Sequence, residues 1–283
     1  MSVVVVTRDR PVALERCLTA LSWQTAKPLE IVVVDDAAVR DEAVRGAIAR
    51  SFAAHDLRTP RVQVLTGGGR GPAAARNLGA DAARGAVVCF IDDDCVPVPR
   101  WAERLAAACA AGGAAAGTTV ADPAAGRAAA ASQLVTHTLQ LASLDAGAGV
   151  LGFAPTCNVA CRSDVLRAVP FDESFPLADG EDRDWSGRLA AAGIALRFVP
   201  EARVEHRPQM GLVGLLRQQH GYGRDAVRLR GGGGGRRVSG RAFYPRLARE
   251  AARAGPSTVA LVALAQAAVA AGALRDLAAG WRW

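Results

Sequence analysis

Short β-branched runs alternate with helix-forming segments through residues 2–111 of this chain. The runs predict strands at Ser2–Thr7, Glu30–Asp35, Arg61–Leu65 and Ala86–Ile91. Helices are predicted to open at Pro11, where Asp9 would cap the first turn, and at Pro72, and to cover Asp41–Phe52 and Pro99–Ala111. Such alternation favours parallel βαβ units with helices on both faces of the sheet. The sequence therefore predicts the α/β class and a mostly parallel sheet.

A polar cluster follows each of the four predicted strands. The clusters are residues 7–9, 35–36, 67–71 and 92–94. The carboxyl ends of parallel strands meet at one edge of an open sheet, and ligands bind in the crevice outside that edge. Four polar clusters at one edge therefore predict a binding site.

The fourth cluster is a run of three carboxylates, Asp92, Asp93 and Asp94, directly after an apolar strand. Neighbouring carboxylates repel one another, and a divalent cation with oxygen ligands is a common reason for a fold to keep them together. A solvated acidic turn is the alternative. The triplet favours a metal site at the end of the strand.

The third cluster is a glycine-rich loop, Gly67–Gly71, that precedes a helix. Glycine-rich backbone at a helix N-terminus favours phosphate, and Arg76 lies one turn into that helix, where it would reach a diphosphate. The chain lacks GxGxxG after its first strand and carries no GxxxxGK[ST] in this loop. Amides, an arginine and carboxylates at one edge predict a site for a nucleoside diphosphate with a cation.

Two polar residues stand out in the strands predicted for the second half. Asn158 lies in a short apolar strand predicted within residues 155–166, where it either satisfies backbone groups or contacts a substrate. A strand, a turn and a second strand are predicted over residues 195–208, ending at His206. This histidine is either an ordinary surface residue or a third metal ligand.

Glu181 and Asp182 lie in the first turn of a helix that is predicted to begin at about Gly180. The helix dipole favours ionised carboxylates at this position, so the pKa of Asp182 is expected to be low. The two residues are either capping charges or the source of a general base that faces the cleft.

Positive charge is concentrated in one C-terminal block. Between Arg203 and Arg253, twelve arginines stand against three acidic residues, a local charge of +9, whereas the whole chain carries +7. The block indicates an anionic partner (a membrane surface, a lipid-linked phosphate or nucleic acid) or else a solvated arginine-rich face. Nucleic acid is disfavoured, because few aromatic residues accompany the arginines: Tyr222, Phe243 and Tyr244.

Residues 254–274 carry no charge, and their number suffices for a membrane span, which needs about 20 apolar residues. A helix packed on the domain, or one lying in a membrane interface, is an equal alternative, and Trp281 and Trp283 would suit an interface. The pentaglycine at 231–235 is interpreted as a flexible surface loop or linker.

The six cysteines form no CxxC pair and indicate reduced thiols, mostly in the core, rather than a zinc site. The chain begins directly with a strand and lacks the pattern of a secretory signal. A cytoplasmic location is expected, including the inner face of the cell membrane.

Seven segments, in this order, resemble the family 2 glycosyltransferases of the GT-A fold: VVVVTRDRP, IVVVDDA, GPAAARNLGA, FIDDDC, CNVACRSDVL, GEDRDWSGRL and VEHRP. They span residues 2–208, and RQQHGYGRDAVRLR (217–230) is similar to a segment that follows the domain in many bacterial members. The resemblance implies a GT-A, Rossmann-like sheet with a helical C-terminal extension.

The expected organisation follows from this resemblance. A GT-A domain would cover residues 1–210, with a nucleotide-binding half at 1–95 and an acceptor half at 96–210. A basic helical extension with a glycine-rich loop would cover 211–253, and an apolar helix in contact with a membrane would cover 254–283.

The activity that the resemblance implies is an inverting, metal-dependent transfer of a sugar, of the hexosyltransferase class. The donor would be a nucleotide-diphosphate sugar, foremost a UDP-sugar, and the cofactor Mg²⁺ or Mn²⁺. The acceptor would be the hydroxyl of a glycan, a lipid-linked glycan or a small molecule, and not nucleic acid.

The resemblance also implies donor contacts at the sheet edge. Asp36 would contact the uracil or another base, in a pocket lined by Thr7 and Arg8. Arg76 would lie near the base or the diphosphate, and Asp92 would hold the ribose.

The implied metal ligands are Asp94 and His206, joined by Asp92, while Asp93 would complete the donor-binding set. On the acceptor side, Asp182 matches the catalytic base of the family. The remaining implied acceptor contacts are Asn158, Glu181, Asp184 and Trp185. The tryptophan stands where an aliphatic residue is common in the family.

Two rival functions compete with this resemblance. Residues 92–96 also fit DxDx[TV], the nucleophile motif of haloacid-dehalogenase-type phosphatases, but those enzymes need a downstream lysine and the only lysine is Lys27. The second rival is a catalytically inactive nucleotide-sugar-binding module, against which the intact GED triplet and His206 argue.

Overall fold

The computed structural model describes residues 1–26, 28–37, 42–52, 60–175, 180–228 and 240–279. Its first part is a series of alternating strands and helices: β1 (Ser2–Thr7), α1 (Pro11–Ser22), β2 (Glu30–Asp35), α2 (Glu42–Phe52), β3 (Arg61–Thr66), α3 (Pro72–Ala82) and β4 (Val87–Asp92). The four predicted strands are confirmed to within one residue at each end. Asp41 and Lys27 lie outside the described residues.

The second part of the domain is less regular. It comprises β5 (Cys95–Pro97), α4 (Trp101–Gly112), β6 (Ala114–Ala121), α5 (Arg127–Ala142), β7 (Leu144–Asp145), β8 (Val150–Leu151), β9 (Asn158–Arg162), α6 (Ser163–Ala168), α7 (Glu181–Ala191) and β10 (Leu196–His206). Three helices follow: α8 (Leu212–Arg228), α9 (Gly240–Ala254) and α10 (Pro256–Ala278).

The strands form one sheet in the order β3-β2-β1-β4-β9-β6-β10-β8-β7, with β5 paired to β10. The strands from β3 to β4 are parallel, and β9 is inserted antiparallel between β4 and β6. The prediction of a mostly parallel sheet flanked by helices is confirmed. Because β1 lies between β2 and β4, the carboxyl ends of these three strands adjoin one another.

The core consists of two apolar layers, one on each face of the sheet. Val3 and Val5 of β1 pack into one layer with α1 and α4, whereas Val4 packs into the other with α3 and α7. A sheet covered on both faces explains why its first strands are uninterrupted β-branched runs. All six cysteines are buried free thiols, as predicted.

Two local predictions are wrong. Helix α1 begins at Pro11 without a side-chain cap, and Asp9 lies before it in a left-handed conformation with φ of 55°. The two strands predicted over residues 195–208 are one strand, β10, which absorbs the expected turn as a register shift between Val199 and Arg203.

The C-terminal helices pack against one another, and α8 and α10 approach closely at two glycines. A Cβ on Gly223 would lie 2.0 Å from the Val269 carbonyl oxygen, and one on Gly272 would lie 2.0 Å from that of His220. The predicted helical extension is confirmed. The pentaglycine at 231–235, Trp281 and Trp283 lie outside the described residues.

Candidate active site

The polar clusters after β1, β2 and β4 meet at one edge of the sheet. The Asp36 N–H donates to the Thr7 carbonyl oxygen at 2.9 Å, and the Asp93 N–H donates to that of Val6 at 3.3 Å. The strand order therefore brings together carboxylates that lie more than 50 residues apart in the chain.

Asp93 and Thr7 are fully buried beneath this edge. The Thr7 hydroxyl donates to Asp93 at 2.6 Å, and neither residue has any exposed surface. Burial raises the pKa of Asp93 to about 7, although the charge of Arg10 opposes the rise. The structure pairs Thr7 with Asp93, and their predicted nucleotide contacts stay predictions.

Arg10 neutralises two members of the acidic triplet. Its guanidinium lies 2.7 Å from Asp93 and 2.8 Å from Asp94, and its side chain is 45% exposed. The sequence analysis did not single out this arginine. Its position directly before Pro11, at the end of a strand, was the available signal.

Asp94 and His206 form a second charge pair at the same edge. The His206 Nε2 lies 3.3 Å from the Asp94 Oδ1. Burial alone would raise the pKa of Asp94, but the hydrogen bond and charge of His206 outweigh it and lower the value to about 2. Burial alone would likewise lower the pKa of His206, and Asp94 instead raises it to about 9.

Gln133 on α5 determines which ring nitrogen of His206 faces Asp94. The Gln133 Nε2 donates to the Thr119 carbonyl oxygen at 3.0 Å, so its Oε1 is the atom that lies 2.9 Å from His206 Nδ1. Nδ1 must therefore donate, and a bound cation would displace the proton of Nε2, the nitrogen that faces Asp94. The sequence analysis missed Gln133, and no local pattern marked it.

The residues at this edge fit a divalent cation. Ligand atoms of Asp94, Cys95 and His206 lie within 4.8 Å of one another. Burial raises the pKa of the Cys95 thiol well above its ordinary value, so the thiol stays protonated and the hard-cation ligands are the carboxylate and the imidazole. Asp92 lies outside this group, and Arg76 contacts its carboxylate at 3.2 Å, so its predicted role as a metal ligand stays a prediction.

Arg76 links the acidic edge to the start of α7. Its guanidinium lies 2.9 Å from Glu181 and 3.2 Å from Asp92, and it lies over the Phe171 ring at 5.8 Å. Arg76 and Glu181 are each 3% exposed, so Glu181 positions α7, and its predicted contact with the acceptor stays a prediction. Arg76 likewise contacts carboxylates where diphosphate contacts were predicted.

Asp36 and Arg8 lie beside the glycine-rich loop. The Asp36 Oδ2 accepts from the Gly71 N–H at 3.0 Å and lies 4.0 Å from Arg8, which is exposed. The Asp36 Oδ1 is buried and has no hydrogen-bond partner among the described residues. A Cβ on Gly67 would lie 2.7 Å from this oxygen, so only glycine fits there. The donor-pocket roles of Asp36 and Arg8 stay predictions.

Asp182 is partly exposed at the N-terminus of α7. Surrounding protein raises its pKa to about 7, and the charge of Glu181 adds to the effect, whereas Arg183 and Arg76 oppose it. The expectation that the helix dipole holds this pKa low is therefore wrong. A carboxylate that titrates near neutrality suits a general base better than one that is always ionised.

The other predicted acceptor residues divide into buried and accessible. Asn158 is fully buried, accepts from the Trp101 ring N–H at 2.8 Å and donates to two backbone carbonyls. Trp185 is fully buried, stacks on Phe171 and donates to the Val169 carbonyl oxygen. These side chains complete the core, and their predicted acceptor contacts stay predictions. Asp184 remains accessible beside Arg188.

Residues 2–169, more than half of the chain, match the family described as glycosyl transferase family 2. The chain belongs to glycosyl transferase family 2. The family predicted from the ordered motifs is thereby confirmed, and the phosphatase alternative is removed. The edge that holds Asp94 and the glycine-rich loop lies inside the matched family 2 region, whereas α7 and His206 follow it.

A curated relative belongs to the same group of enzymes. The pre-mycofactocin glycosyltransferase of Mycobacterium tuberculosis is 28% identical over 242 residues, which are 81% of this chain and 47% of the relative. This family 2 chain thus spans about half the length of that relative.

Two solved structures share the fold. S. aureus TarS 1-349 in complex with UDP aligns with a TM-score of 0.55 at 17% identity, covering 78% of this chain and 64% of that one. Mannosyltransferase PcManGT from Pyrobaculum calidifontis, in complex with GDP-Man and Mn²⁺, aligns with a TM-score of 0.54 at 19% identity, covering 100% of this chain and 76% of that one. The predicted GT-A fold of this family 2 chain is confirmed.

Proposed function

We propose that this protein is an inverting glycosyltransferase that moves a sugar from a nucleotide-diphosphate sugar to an acceptor hydroxyl. The observation that carries the proposal is Asp182, a partly exposed carboxylate with a pKa of about 7. Its helix is tied through Glu181 and Arg76 to the acidic edge, so a base and a cation site lie on one connected frame.

The proposed donor is a UDP-sugar, with a GDP-sugar as the alternative. TarS binds UDP and PcManGT binds GDP-Man, and both share this fold. In this chain Asp36 offers a buried carboxylate oxygen without a partner among the described residues, and exposed Arg8 lies 4.0 Å from its other oxygen. A base edge with N–H donors would satisfy the free oxygen. Asp92, which is 29% exposed, keeps its proposed contact with the ribose.

Asp94 and His206 would hold Mg²⁺ or Mn²⁺ at the diphosphate. PcManGT was solved with Mn²⁺, and the carboxylate of Asp94 and the imidazole of His206, once its Nε2 proton is released, are suitable ligands for such an ion. When bound, the ion supplies Lewis-acid stabilisation of the negative charge on the departing nucleoside diphosphate.

The chain's own chemistry is the activation of the acceptor. The oxygen of the acceptor hydroxyl attacks the anomeric carbon from the face opposite to the diphosphate, which leaves as the nucleoside diphosphate. Asp182 accepts the proton of that hydroxyl. Such general base catalysis contributes about 10²–10⁴-fold in rate. A single displacement of this kind inverts the configuration at the anomeric carbon.

A thermal-shift screen tests the donor and the metal together. Nucleotide sugars with and without Mn²⁺ are compared, because a ligand that binds only the folded protein raises Tm by mass action. A UDP-sugar is expected to give the largest shift, and only with the metal. NMR of the product from a soluble acceptor then reads the anomeric configuration. Binding without any transfer would favour the inactive binding module, and retained configuration would contradict the proposed displacement.

We propose in addition that α10 rests on an anionic membrane surface. Among the described residues, α10 alone is long and apolar enough to cross a membrane, and 17% of its most apolar window is buried. Its exposed face carries apolar residues along its whole length: Val259, Ala263, Ala267, Ala270, Leu274 and Leu277. Exposed arginines on the adjacent α9, at Arg246, Arg249 and Arg253, provide the charge that anionic headgroups attract.

Vesicle flotation tests this contact. Phosphatidylglycerol-containing vesicles are expected to retain the protein, neutral phosphatidylcholine vesicles to retain less, and Leu274→Glu to release it. Equal retention on both vesicles would remove the arginines from the contact. A dimer in solution that Leu274→Glu dissociates would assign the face to a second copy of the chain.

A further inference from the structure

Arg183, the residue after the proposed base, lies between two aromatic rings. Its guanidinium carbon is 5.6 Å from the centre of the Phe153 ring and 5.7 Å from that of Tyr222. Phe153 precedes β9 in the GT-A domain, whereas Tyr222 belongs to α8 of the C-terminal extension. The extension therefore contributes a residue to the neighbourhood of Asp182.

The charge of Arg183 is balanced differently from that of the other arginines near the site. Arg76 contacts two carboxylates, and so does Arg10. Within the described part of the chain, no carboxylate lies within ion-pair distance of the Arg183 side chain, and no acceptor takes a hydrogen bond from it. A partly buried arginine whose N–H groups have no acceptor among the described residues keeps those donors available to water or to a ligand.

The aromatic contacts leave those donors usable. A ring contacts the face of a guanidinium, whereas the five N–H groups lie in its plane and match the oxygens of a phosphate or a carboxylate. The guanidinium is also close enough to Asp182 for its charge to oppose the rise in the pKa of that carboxyl. An anion bound by Arg183 would therefore lie beside the group that takes the proton of the acceptor.

Helix α8 contacts the start of α7 and is hydrogen-bonded to α5. Asp225 is 3% exposed and packs on Gly180, whose missing Cβ would lie 3.0 Å from that of Asp225. Gln218 accepts from the Ser132 hydroxyl at 2.6 Å, which ties α8 to α5. Tyr222 and Asp225 of the tail motif thus lie beside the start of α7.

We propose that Arg183 binds an anionic group of the acceptor, a phosphate or a carboxylate, and that Tyr222 is the positioning residue for its guanidinium. The inference rests on the proposed function, since it assigns an acceptor class to the same site. It accounts for an arginine beside Asp182 that contacts no anion among the described residues, and for the contact of the extension with α7.

Matched acceptors test the class of substrate. Octyl monoglycosides of common hexoses are offered in three forms: neutral, phosphorylated at O6, and oxidised to the carboxylate at C6. The charged forms are expected to give a kcat/KM about tenfold to a hundredfold above the neutral form, mainly through KM, which is the range of a hydrogen bond to a charged group. Comparison of the two charged forms identifies the preferred anion. A neutral form that is used equally well overturns the proposal.

Variants assign the preference to residues. Arg183→Met is expected to abolish the preference for charged acceptors, and Tyr222→Leu to reduce it. Tyr222→Phe, which keeps the ring, should retain it. Arg50→Met, in an exposed ion pair with Glu15, is the control for loss of an arginine. A preference that persists in Arg183→Met contradicts the proposal, as does a loss of UDP affinity in that variant, which would assign the arginine to the donor.

A binding measurement keeps the proposal testable if no acceptor is used. Inorganic phosphate is titrated into the protein with and without UDP and Mg²⁺, and the Nε–Hε NMR signal of Arg183 is followed, identified by its absence in Arg183→Lys. The signal is expected to shift in the wild type, including when UDP fills the donor site, and to shift less in Tyr222→Leu. An unchanged signal in both conditions overturns the proposal, whereas a missing transfer reaction alone counts against the proposed function.

Discussion

The two sides of the cleft handle their charges in opposite ways. At the donor edge each carboxylate of the acidic triplet already contacts a cationic side chain, through Arg10, Arg76 or His206. At the start of α7, Asp182 keeps a raised pKa and Arg183 contacts no anion among the described residues. Charged side chains that are paired within the protein stabilise the fold (the compensated side), whereas those left unpaired are available to a ligand (the uncompensated side). Substitutions that break the charge pairs of the donor edge should therefore cost stability, whereas substitutions of Asp182 or Arg183 should cost activity.

The largest effect is expected on the uncompensated side. Asp182→Asn should lower kcat by about 10²–10⁴-fold, because the acceptor hydroxyl loses its base. UDP affinity, measured by calorimetry, should stay nearly unchanged, since the donor contacts lie at the sheet edge. Equal losses of transfer and nucleotide affinity would assign Asp182 to the donor side and contradict the difference between the two sides of the cleft.

Arg76→Met tests the compensated side. The substitution leaves Glu181 buried without its partner, and breaking a buried pair costs about 3–5 kcal/mol in the free energy of unfolding. Urea unfolding measures the loss. Adding Glu181→Gln should recover part of it, because the unpaired charge is removed. A double variant no more stable than the single one would show that the pair is not what Arg76 stabilises.

Gln133→Leu should weaken metal binding without touching a ligand. Loss of an outer partner of a ligating histidine typically costs about 10–100-fold in metal affinity. Gln140→Leu is the matched control, since Gln140 is buried on the same helix and donates to the Gly117 carbonyl oxygen at 2.9 Å, away from His206. Calorimetry with Mn²⁺ alone distinguishes the two variants. Equal affinities would remove Gln133 from the site.

The sequence predicted the first four strands because each is a buried β-branched run whose local pattern suffices. Strand β6 escaped prediction, since Ala114–Ala116 are alanines, which favour helices in isolation. Tertiary packing reverses that preference: a Cβ on Gly117 would lie 1.7 Å from the Ala202 carbonyl oxygen, so small residues let β10 approach. Propensity alone cannot report that requirement.

The sequence predicted which residues lie near the candidate site but not which side chains pair with them. Ordered motifs predicted site roles for Asp94, Asp182 and His206, because a polar residue at a strand end or a helix start is visible in the sequence. The partners are not local: Arg10 lies 83 residues from Asp93, and Arg76 lies 105 from Glu181. The burial of Asn158 and Trp185 escaped prediction for the same reason, since only the fold shows that their polar atoms are satisfied inside the core.

The smallest expected effect is on the pH dependence of stability. Its sign is opposite to the effect on activity, because Asp182→Asn should lower kcat but raise Tm at high pH. Asp182 has a folded-state pKa of about 7 against an ordinary 3.8, so its ionisation costs the folded state free energy. That cost is absent below the unfolded value, accumulates as pH rises through the interval, and is complete above pH 7. Asp182→Asn does not titrate, so its Tm should exceed that of the wild type above pH 7, and the difference should shrink as pH falls. Curves of Tm against pH that run parallel for the two proteins would mean that the Asp182 carboxyl is ionised throughout. Its ionisation would then not destabilise the folded protein.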